Sequence, residues 1–461
     1  MEPLLAADLA ALSGLLTSTK DHADRFLNGI GERRVAAAGA PPVRAEGAPA
    51  RGVGLEGALA RFAGRWEAGV SGSAGPRYLG FVTGGATPAA LAGDWLTAAY
   101  DQNGSSGGGS WAAQLEEETL GWLRELFGLG EAHQGAFVSG ATASNTVGLA
   151  IAREWLGERL GVRVSQQGVA ALGPVEVLSG SPHSSVGKAL SVLGIGRGSL
   201  RRVPVLPGRE AVDAAALEES LAALGGRPAI VVANAGTVNT VDFDDLAAIA
   251  ALRERHPFWL HVDAAFGGFA GLSPAHAHLV RGLDLADSVC VDLHKWLNVP
   301  YDSAVQFTRR RDLQTAVFHN ASPYLGEPTA AHPDFLHLTP ENSRRLRALA
   351  AWFALTAYGV AGHAEIVVRT AHCAELLGAG LDAHPAFRLL APVRLNVVCF
   401  TLADDPSRVP EFLDAVAAAG ETYLTATVLD GVSAVRAAFS NWRTTPEDAA
   451  RVLAALTAAV R

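Results

Sequence analysis

Two residues carry the chemistry this sequence can do. Asp263 ends a short apolar run, F-W-L-H-V-D at 258–263, and Lys295 follows a second one, V-C-V-D-L-H-K at 289–295. A primary amine condenses with an aldehyde to give a Schiff base, and a carboxylate keeps a pyridine nitrogen protonated so that the ring accepts electrons. An amine and a carboxylate at the ends of two buried strands are what pyridoxal phosphate requires. Composition adds weight to Lys295. Of 37 lysines and arginines, only Lys20, Lys188 and Lys295 are lysine. Arginine replaces lysine as a plain positive charge but stays protonated, so it cannot serve as a nucleophilic amine. Lys20 sits in a polar N-terminal stretch and reads as a surface charge. Lys295, between His294 and Trp296 after an apolar run, reads as a site residue.

The bulk numbers bound the class. A chain of 461 residues with 49% apolar and 18% charged residues is a globular protein of two or three domains. A net charge of −9 without a basic stripe gives nucleic-acid binding no electrostatic support. Cys290, Cys373 and Cys399 show no metal-ligand spacing and read as buried thiols in a reducing compartment. The first residues carry Glu2 and Asp8 without a basic region, unlike a signal peptide, and no apolar run of about 18 residues is evident, so neither export nor a membrane span is expected. A cytoplasmic protein is the expectation, with no metal site.

The elements that must position the pair follow in order. Residues 4–30 and 55–66 have helical spacing, separated by an Ala/Pro/Gly-rich connection at 36–54. These helices are too few for a core of their own and are expected to pack on something else. Pro88 opens another helix. It ends in D-Q-N-G-S-S-G-G-G-S at 101–110, a loop that lacks the G-K-[ST] of a phosphate loop. An amphipathic helix follows at 115–127. The segment G-A-F-V-S-G-A-T-A-S-N then reads as a strand at 136–138, a turn of small residues (Ser139, Gly140, Ala141, Thr142) and a long helix. Such a turn offers helix N–H groups and a hydroxyl to an anion; the plain alternative is an ordinary capped turn. Strands at 175–179, 200–205, 229–234, 259–263, 288–292 and 304–309 alternate with helices, which predicts an α/β layer with a mostly parallel sheet. Ser139, Gly140, His183, Asp263 and Lys295 all follow strand-like runs, so the carboxyl edge of one sheet gathers them. The G-I-G-R-G-S stretch at 194–199 precedes a strand instead of opening a helix, and is rejected as a dinucleotide fingerprint. Residues 315–340 read as an irregular loop near the site. A long helix from 343 leads into a C-terminal part with strands at 395–402 and 435–439.

These motifs resemble the group II pyridoxal-phosphate-dependent amino acid decarboxylases, the set that includes aromatic amino acid and glutamate decarboxylases. The likeness covers roughly residues 75–455, through S-G-A-T-A-S-N at 139–145, P-H-S-S-V at 182–186, H-V-D-A-A-F-G-G at 261–268, D-L-H-K-W at 292–296 and N-W-R-T-T at 441–445. It implies a fold type I enzyme: a large domain with a mostly parallel seven-stranded sheet and a smaller α+β C-terminal domain. The expected division is 1–85 packing across a homodimer, 86–345 binding the cofactor, and 346–461. By this resemblance Lys295 forms the Schiff base with pyridoxal 5'-phosphate, Asp263 pairs with the pyridine nitrogen, and His183 stacks on the ring and takes part in proton transfer. Ala141 and Thr142 cradle the phosphate beside His294, while Ala265 and Thr237 or Asn239 line the ring pocket. Tyr78 and Phe81 fall on the substrate side, which leans toward an aromatic amino acid.

One departure opens an alternative. Aromatic decarboxylases carry a loop tyrosine implicated in protonating Cα, and the matching position here falls near Phe335, in a loop that looks shorter. A phenylalanine there resembles relatives that oxidise their substrate to an aldehyde, with Tyr324 or His337 as other proton sources. A carbon–carbon or carbon–sulfur lyase on the same cofactor is a further rival. A non-catalytic relative is a third, and the complete set of Lys295, Asp263 and His183 argues against it.

Overall fold

A strand buried on both faces has no polar alternation, so short continuous apolar runs become the interior of a covered sheet. A computed structural model of the chain describes residues 1–37, 47–105, 109–320 and 334–460. Six such runs and one exposed edge strand, Leu200–Arg202, form one sheet: β1 (Gln134–Val138), β2 (Val177–Ser179), β3 (Leu200–Arg202), β4 (Ala229–Asn234), β5 (Phe258–Asp263), β6 (Ser288–Val291) and β7 (Ala304–Thr308). The order is β1-β7-β6-β5-β4-β2-β3. Strands β2 to β6 pair in parallel, and β7 is antiparallel to both β6 and β1. Every residue of β4, β5 and β6 is buried. A second, antiparallel sheet comprises β8 (Phe387–Leu389), β9 (Val397–Leu402), β10 (Thr425–Leu429) and β11 (Val432–Ala438), in the order β10-β11-β9-β8. Strands β8 and β10 escape the sequence reading because each carries partly exposed polar positions, Arg388 in one and Thr425 and Thr427 in the other.

Register sets the chemistry. Asn234 at the end of β4 lies opposite Asp263 at the end of β5, and Asp263 lies opposite Cys290 on β6. The chain then turns directly into the short helix Leu293–Trp296, which carries Lys295. Trp296 anchors that turn: it is fully buried, and its indole N–H donates to Thr370 Oγ1 at 3.0 Å.

The segment after Pro76 ties the two sheets together. Leu79 N–H donates to Tyr423 O, and Ala438 N–H donates to Leu79 O, so this stretch lies along the smaller sheet. The stretch at 83–87 then crosses to the Lys295 turn, where Gly84 N–H donates to His294 O.

The 35-residue segment Ala348–Asp382 is long and apolar enough by length and composition to cross a membrane, contrary to the sequence reading. One face of it packs against the helices Pro88–Tyr100 and Pro446–Ala459, while Val360, Val368 and Leu376 stay exposed. Gly359, at φ 60° and ψ −174°, breaks it into two helices. The N-terminal helices differ in kind. Burying a large apolar side chain contributes about 1.5–3 kcal/mol, yet Pro3–Ala10, Leu12–Asn28 and Gly54–Arg65 bury no residue fully.

Candidate active site

The carboxyl edge of the larger sheet opens into a cavity of about 310 Å³ whose lining includes Ala141, His183, Asp263, Ala265, His294 and Lys295. With Phe81, which also lines it, seven of the site residues expected from sequence therefore meet in one place. Their supporting geometry is specific. Asp263 accepts from Asn145 Nδ2 at 2.8 Å and from Ala265 N–H at 3.2 Å. His183 caps the helix Ser184–Val192: Ser185 N–H donates to its Nδ1 at 3.2 Å, and Ser185 Oγ lies 2.8 Å from the same atom. The surrounding protein lowers the His183 pKa, aided by Lys295, with Asp263 pulling the other way. The imidazole stands open to the cavity even so. It is thus neutral at physiological pH with Nδ1 occupied, leaving Nε2 to carry the proton.

Around the amine, Asp292 Oδ2 lies 3.5 Å from Lys295 Nζ, and Asp292 Oδ1 lies 3.0 Å from His294 Nδ1. The second contact is not aligned as a hydrogen bond, so His294 Nδ1 and Asp292 Oδ1 are buried polar atoms open to a further partner. The His294 ring packs against Tyr301 at 4.1 Å between centroids, the two planes tilted by 34°. Tyr301 lines the cavity and is 61% exposed, yet the protein packed around its phenol, with Asp292 nearby, pushes its pKa up to about 12, so it remains a donor. Of the other lysines, Lys20 is an exposed partner of Asp21 and Asp24, and Lys188 is exposed.

Several expected residues lie elsewhere. Thr237 is buried with its hydroxyl donating to Glu210 Oε2 at 2.6 Å, and Asn239 reaches Glu210 and the strand β10. The neighbouring Gly236 and Val238 line the cavity instead. Thr142 opens the helix Ala141–Leu160 next to Ala141 without lining the cavity itself. Tyr78 stacks on Tyr423 at 5.0 Å, behind the cavity wall. Phe81 does line it, 57% exposed, with φ at 57°. A non-glycine residue there is strained and is held by the contacts on either side of it, at Leu79 and Gly84. Phe335 is not at the cavity: it is 2% exposed and lies under the Arg344 guanidinium at 5.0 Å, because an apolar ring beside a buried cation is better placed there than in solvent. His337 is buried as well and accepts from Asn320 N–H. Tyr324 lies outside the described residues, as does 106–108 of the Gly/Ser-rich loop.

The sequence reading missed four residues that the fold brings to the site. Arg436 on β11 puts a buried guanidinium on the cavity wall, tied to Val238 O at 2.8 Å. Tyr301 closes another side. Asn145 and His261 lie behind Asp263. Only His261 left a signal: a histidine within an otherwise apolar buried strand needs partners for both ring nitrogens.

An amine, a carboxylate on an adjacent strand, a neutral imidazole and a helix N-terminus around a cavity of this size fit pyridoxal phosphate. Comparison with known proteins agrees. The family described as "Pyridoxal-dependent decarboxylase conserved domain" matches residues 65–403. The aromatic-L-amino-acid decarboxylase of Sus scrofa is 31% identical over 377 residues, 77% of this chain and 76% of that protein. The chain belongs to the pyridoxal-dependent decarboxylase family. The enzyme of the same name from Bacillus atrophaeus is 28% identical over 70% of this chain and 67% of its own length.

Solved structures extend the likeness to the whole fold of this decarboxylase. The Oryza sativa TDC structure with PLP and tryptamine superposes with a TM-score of 0.90 at 22% identity, covering 100% of this chain and 99% of the other. The Rhodiola rosea 4-hydroxyphenylacetaldehyde synthase does so at 0.87 and 19% identity, covering 98% of each. The architecture is fold type I, and the cofactor is pyridoxal 5'-phosphate.

Proposed function

We propose that this decarboxylase acts on an aromatic L-amino acid, with Lys295 as the cofactor-binding amine and Asp263 and His183 as its partners. The observation that carries the reading is the convergence of those three side chains in one cavity walled by Phe81, Phe266 and Tyr301. Pyridoxal phosphate, when bound, supplies an electron sink for the bond that loses CO₂. The chain supplies the rest. Asp263 holds a proton on the pyridine nitrogen. The N-terminus of the helix Ala141–Leu160, with His294, holds the phosphate. His183 covers the ring face and presents a proton at Nε2. Arg436, a buried cation on the wall, takes a substrate carboxylate. The aromatic-L-amino-acid decarboxylases among the relatives support the aromatic choice, and the flat apolar walls suit it.

The oxidative alternative rested on Phe335, and its burial under Arg344 removes that support within one chain. The division into 1–85, 86–345 and 346–461 is part of the same proposal, as is a homodimer. Exposed Leu5, Leu9, Leu16, Phe62 and Trp66 on the N-terminal helices give a partner an apolar surface to cover. Three free, buried cysteines suit a reducing cytoplasm.

The test is a substrate screen with cofactor-loaded protein, scoring CO₂, amine, aldehyde and peroxide. Amine with stoichiometric CO₂ from an aromatic L-amino acid is expected. Turnover confined to glutamate or aspartate would overturn the substrate assignment, and aldehyde with peroxide would overturn the reaction.

A further inference from the structure

Behind Asp263 lies a buried chain of side-chain hydrogen bonds that the reaction chemistry does not itself require. Trp259 Nε1 lies 2.9 Å from Ser288 Oγ, which lies 2.8 Å from His261 Nδ1. His261 Nε2 lies 2.8 Å from Asn145 Oδ1. Asn145 Nδ2 is 2.8 Å from Asp263 Oδ2 and 3.1 Å from Ser185 Oγ, and Ser185 Oγ is 2.8 Å from His183 Nδ1. Trp259, Ser288, His261 and Asn145 are 1% exposed or less.

The chemistry of the two ends fixes the direction of every bond. An indole N–H only donates, so Ser288 Oγ accepts from Trp259 and turns its own proton to His261 Nδ1. His261, neutral because burial drives its pKa down to about 4, then carries its proton on Nε2 and donates to Asn145 Oδ1. At the other end a carboxylate only accepts, so the Asn145 amide must present N–H to Asp263. Its second N–H meets Ser185 Oγ, which sends the hydroxyl proton to His183 Nδ1. Flipping the Asn145 amide would set a carbonyl oxygen against the Asp263 carboxylate and leave His261 without an acceptor.

The helix is shaped for this contact. A Cβ on Gly148, one turn after Asn145, would lie 2.6 Å from His261 Cε1 and 2.7 Å from His261 Nδ1. The absent side chain is the space the imidazole occupies.

We propose that Asn145 is a positioning residue whose amide, oriented by His261 and Ser288, sets both Asp263 and His183 for the cofactor. It touches neither cofactor nor substrate, and acts at two groups at once: it aims the carboxylate and, through the Ser185 hydroxyl, helps hold the His183 imidazole, whose Nδ1 also accepts from Ser185 N–H. Ser288 acts at one further remove. The inference rests on pyridoxal phosphate occupying the cavity, which a visible band in the unmodified protein tests separately.

The experiment is a double-mutant cycle read as the dissociation constant of the apo protein for pyridoxal 5'-phosphate. Asn145→Leu keeps the shape of the side chain and none of its hydrogen bonds. A lost bond to a buried carboxylate is expected to weaken cofactor binding about tenfold or more. Ser288→Ala, remote from the cavity, is expected to weaken it a few-fold in the natural background and not at all once Asn145 is Leu. The bound cofactor's visible band should also change position or intensity in Asn145→Leu, since it reports the pyridine nitrogen. Should Asn145→Leu fail to fold, Asn145→Ser takes its place in the same cycle. Cofactor affinity unchanged in the Asn145 variant, or the same Ser288→Ala factor in both backgrounds, would assign Asn145 to packing and overturn the proposal.

Discussion

Gly84 offers the sharpest perturbation of the active site without touching a chemical group. Its backbone lies against the turn that carries Lys295. Gly84 N–H donates to His294 O at 3.1 Å, and Gly84 O accepts from Asn298 Nδ2 at 2.7 Å. A Cβ at this position would overlap the Lys295 carbonyl oxygen outright and sit 2.6 Å from Asn298 Nδ2. The carbonyl is main chain and cannot rotate away, so Gly84→Ala must part the two segments. Overpacking costs about 1–3 kcal/mol and each of the two lost hydrogen bonds about 0.5–1.5 kcal/mol, so a loss of roughly 2–6 kcal/mol in stability is expected. Catalysis should suffer separately. Displacing a reacting group by on the order of 1 Å costs about 10²-fold in rate. Denaturant midpoints and turnover per bound cofactor read the two effects independently. Gly121→Ala is the control: it lies inside the helix Ala112–Leu126 with nothing within 4 Å of an added Cβ. It should gain about 0.5–1 kcal/mol from helix propensity. A Gly84→Ala protein with an unchanged midpoint and full turnover would refute the close approach.

Two further predictions concern buried charge. Glu116 and Arg344 form a fully buried ion pair at 2.7 Å that also binds the Phe137 main chain. Glu116→Gln should destabilise by about 3–5 kcal/mol, measured by denaturant unfolding, because it strands a buried guanidinium. Replacing both partners with apolar residues should cost less. For His261, burial drives the folded pKa from 6.5 down to about 4. The unfolded chain therefore binds a proton that the folded chain refuses between those values. Stability is full above pH 6.5 and falls as pH drops toward 4, by about 3 kcal/mol from this group. Urea unfolding at pH 7.5 and pH 5 should show about 2 kcal/mol of that loss, the part that falls between pH 6.5 and pH 5, and His261→Asn should flatten it relative to the unmodified protein.

Much of the larger sheet was legible because its strands are buried on both faces and read as unbroken apolar runs. The same property made the strand ends, and hence Asp263 and Lys295, easy to place. The smaller sheet was harder, since β10 alternates half-exposed and exposed residues and resembles a loop in composition. Within the site, residues that follow a strand directly were found: Ala141, His183, Asp263, Ala265, His294 and Lys295. Of those brought in by tertiary packing, Phe81 was expected through the family resemblance, and Arg436 and Asn145 were not. Arg436 comes from the other sheet and Asn145 from the second turn of a helix, and nothing local marks either. Thr237 was misplaced for the opposite reason. Its strand ends at the cavity, but Gly236, with φ at 93°, turns the chain so that the hydroxyl faces Glu210. Phe335 was placed by matching the family's loop tyrosine position, and a matched position does not fix where a side chain packs.

The claim that Lys295 holds pyridoxal 5'-phosphate can be tested in one measurement, helped by the scarcity of lysine. The purified protein is loaded with cofactor, reduced with borohydride and digested, and the lysine peptides are weighed. The account predicts a pyridoxyl group on the peptide containing Lys295 and none on those containing Lys20 or Lys188. An unmodified Lys295 peptide, or label on either of the other two lysines, would contradict it.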